Sequence, residues 1–136
     1  MENPFNLEGK TIVITGASSG IGQQCAIDCA GMGAKVILIA RNEDKLKATI
    51  ALMEGNGHQY YVSDISKTNT INDLIKKIVD DNGLINGFIH SAGKEKSLPV
   101  KILDYTTYND LYNINTLSAF EFVHQFSNIR YFAKGG

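Results

Sequence analysis

The residues best suited to chemistry in this chain are Thr15-Gly16-Ala17-Ser18-Ser19-Gly20-Ile21-Gly22. Glycines at 16, 20 and 22 let the backbone turn tightly and approach a ligand, and a helix opening near Gly20 adds free amides and a partial positive charge. Such a turn can hold a diphosphate. Its spacing is G-x3-G-x-G, and no Gly-Lys-Ser/Thr ending follows, which argues against an ATPase loop. The same residues also suit a tight strand-to-helix turn with no ligand. About 20 positions further on, Ile39-Ala40-Arg41-Asn42 presents no carboxylate to grip a ribose 2′-hydroxyl. Arg41 can instead form charge-assisted bonds to a 2′-phosphate, about 1.5 to 3 kcal/mol each. NADP is therefore expected over NAD, the alternative being that Arg41 is a solvated charge at a helix entry.

The remaining reactive side chains are scattered. Cys25 and Cys29 lie four apart with no Cys or His neighbour to complete a metal site, and they read as small core residues. His58, His90 and His124 share no ligand spacing, so no metal is expected. Lys94-Glu95-Lys96 reads as a solvated loop. With 43% hydrophobic and 20% charged residues the chain is too apolar for disorder. Thirteen Lys and Arg against fourteen Asp and Glu leave no basic excess to hold a nucleic acid. At 136 residues a single domain over 1–136 is expected, one able to bury roughly 70% of its unfolded surface. Met1-Glu2-Asn3-Pro4-Phe5 has neither the basic nor the apolar stretch of a leader, and Val36 to Ala40 is far shorter than the ~20 residues that cross a bilayer. Cytoplasmic residence without membrane contact is the expectation.

Positioning these groups requires a scaffold, and the chain alternates two patterns that supply one. Thr11 to Thr15, Val36 to Ala40, Gln59 to Ser63 and Gly87 to Ser91 read as strands, none with the strict polar alternation of a half-exposed sheet, so all four are expected to be buried on both faces. Ile71, Leu74, Ile75, Ile78 and Val79 mark an amphipathic helix, with Ser66 as its expected cap and Asn82-Gly83 as its stop. Asn42 caps another, with Glu43 and Asp44 in its first turn, Leu46, Ile50 and Met53 on one face and Gly55 beyond. From about Thr106 to Ala133 no Gly or Pro interrupts an apolar series through Leu111, Ile114, Leu117, Phe122, Phe126 and Ile129, which predicts one long helix. Strand and helix in alternation imply a parallel, doubly wound α/β sheet.

At this point a resemblance is plain. Thr15 to Gly22 resembles the TGxxxGxG loop of the short-chain dehydrogenase/reductase family, and Leu84 to Gly93 resembles that family's segment ending in Asn-Asn-Ala-Gly. Ile114-Asn115-Thr116 is similar to the place where the family's long fourth helix carries its structural and proton-relay asparagine. The resemblance implies a Rossmann-like sheet in the order 3-2-1-4 and assigns cofactor contacts to Gly16, Ser18, Ser19, Gly20, Ile21, Gly22, Arg41 and the 90–93 segment, His90, Ser91, Ala92 and Gly93. It gives Asn115 a catalytic place. Asp64 would accept from the adenine amino group and Ile65 would cover the ring, although a turn-capping Asp fits the local residues equally well. His90 and Ser91 depart from the two usual asparagines, and Asn86, in the place of a common aspartate, reads as structural.

The resemblance implies an NADP(H)-dependent oxidoreductase of the 3-oxoacyl-acyl-carrier-protein reductase type, acting on a small-molecule carbonyl or hydroxyl group. It extends over the family pattern's first half, before the fifth strand. None of the six tyrosines has a lysine four residues later, so the family's Tyr-x-x-x-Lys pair and its serine are not among these residues. The chain alone is expected to bind cofactor without catalysing. Rival readings are a non-catalytic nucleotide-binding module and a structural half that needs a second chain. A homo-oligomer through the 106–133 helix is expected, because its apolar faces exceed what four strands cover.

Overall fold

The computed structural model describes residues 3–136; Met1 and Glu2, where the reading for a leader begins, lie outside the described residues. Four parallel strands, β1 (Thr11–Thr15), β2 (Lys35–Ala40), β3 (Gln59–Val62) and β4 (Gly87–His90), lie in the order β3-β2-β1-β4. Between them run α1 (Gly20–Gly31), α2 (Glu43–Ala51) and α3 (Ile71–Asn82). This is the Rossmann-like, doubly wound architecture that the alternating patterns predict. No helix among the described residues is long and apolar enough to cross a membrane.

Successive residues of a strand face opposite layers, and here both layers are apolar. Val13, Ile37 and Ile39 pack with Ile71, Ile75 and Ile78 of α3, while Ile12, Ile14, Val36 and Leu38 pack with Ala26 and Ala30 of α1 and Leu46 of α2. β1 and β2 therefore read as unbroken apolar runs. The expectation that all four strands are buried on both faces fails at the edges: Gln59 and Val62 of β3 are exposed and every residue of β4 is only part-buried. Each of these two strands has a neighbour on one side alone. Asn86 is structural as read, since its side-chain oxygen accepts from the Thr11 N–H (2.9 Å) and its own N–H donates to the Thr11 carbonyl (2.8 Å).

Helix ends follow the sequence signals in part. Asn42 Oδ1 accepts from the Lys45 N–H (2.9 Å) and starts α2, which ends at Ala51, short of Met53. Gly83, at φ 82°, stops α3. Ser66 does not cap α3; a 3-10 turn (Thr68–Thr70) precedes the helix, and Ser66 donates from both N–H (3.2 Å) and Oγ (2.7 Å) to Asp64 Oδ1. A carboxylate two residues away is the nearer and stronger acceptor.

The predicted 106–133 helix also needs correction. It comprises α4 (Tyr105–Tyr112), a π-helical turn (Asn113–Leu117) and α5 (Ser118–Phe126). Helix ends at Phe126 without Gly or Pro because short polar side chains take over the backbone groups: Ser127 Oγ donates to the His124 carbonyl (2.6 Å) and Asn128 Oδ1 accepts from the Arg130 N–H (3.0 Å). The chain then returns to the sheet. Ile85 N–H donates to the Tyr131 carbonyl (2.9 Å) and Ala133 N–H to the Ile85 carbonyl (2.8 Å), a parallel bridge between Ile85 and Phe132 just before β4.

Candidate functional site

The carboxyl ends of all four strands open into one cleft of about 510 Å³. It lies where strand order reverses about β1, the position at which loops of an open α/β sheet diverge and leave a crevice. The 16–22 loop forms its floor. Gly16 stands at φ 68° and Gly20 at φ 57°, both in the left-handed region, and the Gly16 N–H donates to the Ile39 carbonyl (2.9 Å). A Cβ on Gly16 would come within 2.6 Å of the Ala92 nitrogen, and one on Gly22 would strike the Gly16 carbonyl oxygen. The loop is thus clamped between α1 and the loop after β4. Beside Gly20 there is open space, and Ser19, at the N-cap of α1, makes no capping bond with its side chain, so first-turn amides remain for an outside acceptor. An anion is what this arrangement can hold.

One side of the cleft is built by the segments after β2 and β3. Arg41, Asn42 and Lys45 line it from the start of α2, and Ser63, Asp64 and Ile65 from the end of β3. The two Ser66 donors hold the Asp64 carboxyl below the usual carboxylate range, with Arg41 and Lys67 adding to the effect. Asp64 is therefore both a turn former and a wall of the cleft.

Ser91, Ala92, Gly93 and Lys94 after β4, with Ile114 from the π-helical turn, build the other side. Asn115 works behind this wall: its Oδ1 accepts from the Lys94 N–H (2.7 Å) and its Nδ2 donates to the Lys94 carbonyl (2.9 Å). Both ends of the amide fix the loop, which makes Asn115 a positioning residue. His90, the last residue of β4, pairs across to β1. The Ala92 N–H donates to Thr15 Oγ1 (3.3 Å), and the same hydroxyl is hydrogen-bonded to His90 Nδ1 (3.0 Å). The Nε2 of His90 is buried without a partner among the described residues. Burial pushes the His90 pKa below its ordinary value, against the opposing pull of the Ile114 and Ala92 backbones.

Comparison with known proteins agrees with this geometry. Residues 10–136 match the profile of the short chain dehydrogenases. The chain belongs to this family. Mouse 3-ketodihydrosphingosine reductase is 34% identical over 123 residues, which cover 85% of this chain and 37% of that protein. An uncharacterized oxidoreductase of Staphylococcus epidermidis is 38% identical over 96 residues, covering 71% and 40%. Among solved structures, a protein described as a short chain dehydrogenase of Escherichia coli CFT073, complexed with NADPH, is 27% identical with a TM-score of 0.80 over 90% of this chain and 54% of that one. Another from Shigella flexneri, complexed with NADP, is 29% identical with the same TM-score and coverage. The chain spans about two fifths of the length of these curated relatives and about half that of the solved ones.

In this member of the family the cleft gathers Gly16, Ser18, Ser19 and Ile21, Arg41, Asp64 and Ile65, and Ser91, Ala92 and Gly93 from the residues singled out in the sequence. Gly20, Gly22, His90 and Asn115 do not line it. The first two shape the loop, His90 faces Thr15, and Asn115 holds Lys94. Lys94, Glu95 and Lys96 form an exposed loop as read, and Lys94 in addition lines the cleft, which the sequence reading did not foresee. Sequence reading also passed over Thr49. Buried on α2, it donates to the Ala17 carbonyl (3.0 Å) and accepts from Gln23 Nε2 (2.9 Å), tying α2 to the glycine loop and α1. A polar residue three after buried Leu46, on the inner side of α2, was the available signal. Among the described residues no three His, Cys, Asp or Glu side chains are grouped to hold a metal ion.

Proposed function

We propose that this chain is the dinucleotide-binding part of an NADP(H)-dependent oxidoreductase that interconverts a small-molecule carbonyl and alcohol, of the 3-oxoacyl reductase type. One observation carries the cofactor reading: Arg41 lines the cleft just past β2, while the adjacent carboxylates Glu43 and Asp44 do not. A 2′-phosphate there meets a guanidinium and no facing carboxylate from residues 39–44. The solved relatives that carry NADPH and NADP support the same reading.

The residues present fit such a group. Gly16 and Gly22 pack the loop too closely for any side chain, and Gly20 leaves space where a Cβ would point, a cradle suited to a diphosphate. When bound, the nicotinamide ring supplies or accepts the hydride. Ser18, Ser19 and Ile21 hold the phosphate end, Asp64 and Ile65 the adenine end, and Ser91 to Gly93 the ribose and ring end. Asn115 keeps that last wall in place through Lys94. Proton delivery has no Tyr-x-x-x-Lys among these residues, so the 136 residues alone bind without turning over.

Titration by NADPH fluorescence tests the reading. NADPH binds at least about tenfold more tightly than NADH, and Arg41→Asp reverses that order by placing a carboxylate beside the 2′-position. Equal binding of the two before and after the change overturns the assignment of Arg41, and steady NADPH oxidation with a panel of ketones overturns the claim that the chain alone is inactive.

A further inference from the structure

We propose that Lys45 is the second cation of the 2′-phosphate subsite and, with Arg41, sets the preference of this cleft for NADP(H); the inference rests on the NADP reading above. The first five residues of α2 include two acids and two lysines, Glu43, Asp44, Lys45 and Lys47. Of these, Lys45 alone lines the cleft. Glu43 is held elsewhere: it accepts from the Tyr60 hydroxyl (2.8 Å) and pairs with Lys47 (3.0 Å), which neutralises Lys47 and keeps the carboxylate on the β3 side of the helix. The ion pairs among the described residues are Lys47–Glu43 and Lys77–Asp81, so Arg41 and Lys45 both enter the cleft with no such partner.

Arg41 is not an isolated charge. It shares this side of the cleft with Asp64, whose carboxylate its charge helps to stabilise, so part of its field is already offset. A phosphate beside Arg41 meets a larger excess of positive charge when Lys45 contributes. The Lys45 backbone amide is already taken, since Asn42 Oδ1 accepts from it. What Lys45 itself offers at that point is its ammonium, on a flexible stem suited to reach a point charge. A cation in the first turn also opposes the helix dipole and is mildly unfavourable for α2 itself. Ligand binding is the compensating gain.

The test compares wild type, Lys45→Gln, Lys45→Arg and Lys47→Gln in the full chain, by titration with NADPH, NADH and adenosine 2′,5′-bisphosphate. Lys45→Gln weakens NADPH and the bisphosphate by about five- to twentyfold, the size of one partly exposed charge-assisted contact, and leaves NADH within about twofold. Lys45→Arg restores most of the loss, and Lys47→Gln, whose charge is already paired, changes neither dinucleotide. Unchanged NADPH binding in Lys45→Gln, or an equal loss for NADH, overturns the role of Lys45 while the cofactor reading stands. Wild type that binds neither dinucleotide overturns both, and unchanged circular dichroism and melting in Lys45→Gln separates a binding loss from misfolding.

Discussion

His90 is a polar side chain set where the sheet meets the cleft, turned from the cavity toward β1. Its Nδ1 is satisfied by Thr15 and its buried Nε2 is not, so a second proton would have to sit on a ring that burial already disfavours. The folded pKa lies below the unfolded one. As pH falls through the ordinary imidazole range the unfolded chain takes up the proton first, and stability is lost from that point down to the folded pKa. His90→Asn should therefore show a smaller fall in melting temperature than wild type between about pH 7 and pH 5; equal slopes would sink this assignment. His90 also marks a limit of reading from sequence. Its departure from the family asparagine is visible in the letters, but that it would form a chain with Thr15 and the Ala92 amide depends on the β1–β4 register, which pairs Thr15 with His90.

At the scale of elements, α5 anchors the outer strand. Phe122 is fully buried and stacks on Phe88 of β4 at 4.9 Å between ring centroids, with Phe126 at 5.2 Å from the same ring. Phe122→Ala should cost about 3 to 5 kcal/mol in denaturant unfolding, whereas Val100→Ala, at a side chain 85% exposed and off this helix, should stay within about 0.5 kcal/mol. Comparable losses at both sites would contradict the packing. The apolar series at 122 and 126 made this helix legible, and the β-branched runs did the same for β1 and β2. Its stop at Phe126 was not legible, since a rule that looks for Gly or Pro misses Ser127 and Asn128 bonding to their own backbone. The π-helical turn escaped for a similar reason: a single five-residue step among steps of three and four reads as an irregularity of one helix.

For the molecule as a whole, the outward face of α4 and α5 is the surface that asks for a partner. Tyr105, Tyr108, Tyr112, Leu117 and Phe120 are exposed and succeed one another at steps of three, four, five and three residues, the long step crossing the π-helical turn so that the row stays aligned. Val123, 59% exposed, extends it. Self-association through this face is the expected outcome. Sedimentation at low micromolar concentration should give a dimer or larger species, and the double change Phe120→Lys with Val123→Lys should return it to monomer; a wild-type monomer would refute this. The parallel, doubly wound sheet was readable because strand and helix alternate from Thr11 onward, whereas the strand order 3-2-1-4 came with the family resemblance. Which residues turn into the cleft was readable only where a glycine loop or a strand end announced it, so Lys94, whose neighbours suggest solvent, and Thr49, inside α2, came from the structure.

The parallel register of β1 has a consequence for the timing of synthesis. Its first neighbour, β2, begins twenty-four residues later in the chain, at Lys35 opposite Thr11, but its second is separated from it by 75 residues. At roughly 5 to 20 residues per second, the nascent chain makes β1 and then waits about 4 to 15 s before the residues of β4 exist. During that interval the most completely buried strand of the finished sheet has one open edge. The parallel topology that opens a cleft on both sides of β1 thus makes the half-made chain a natural client for a chaperone at the ribosome.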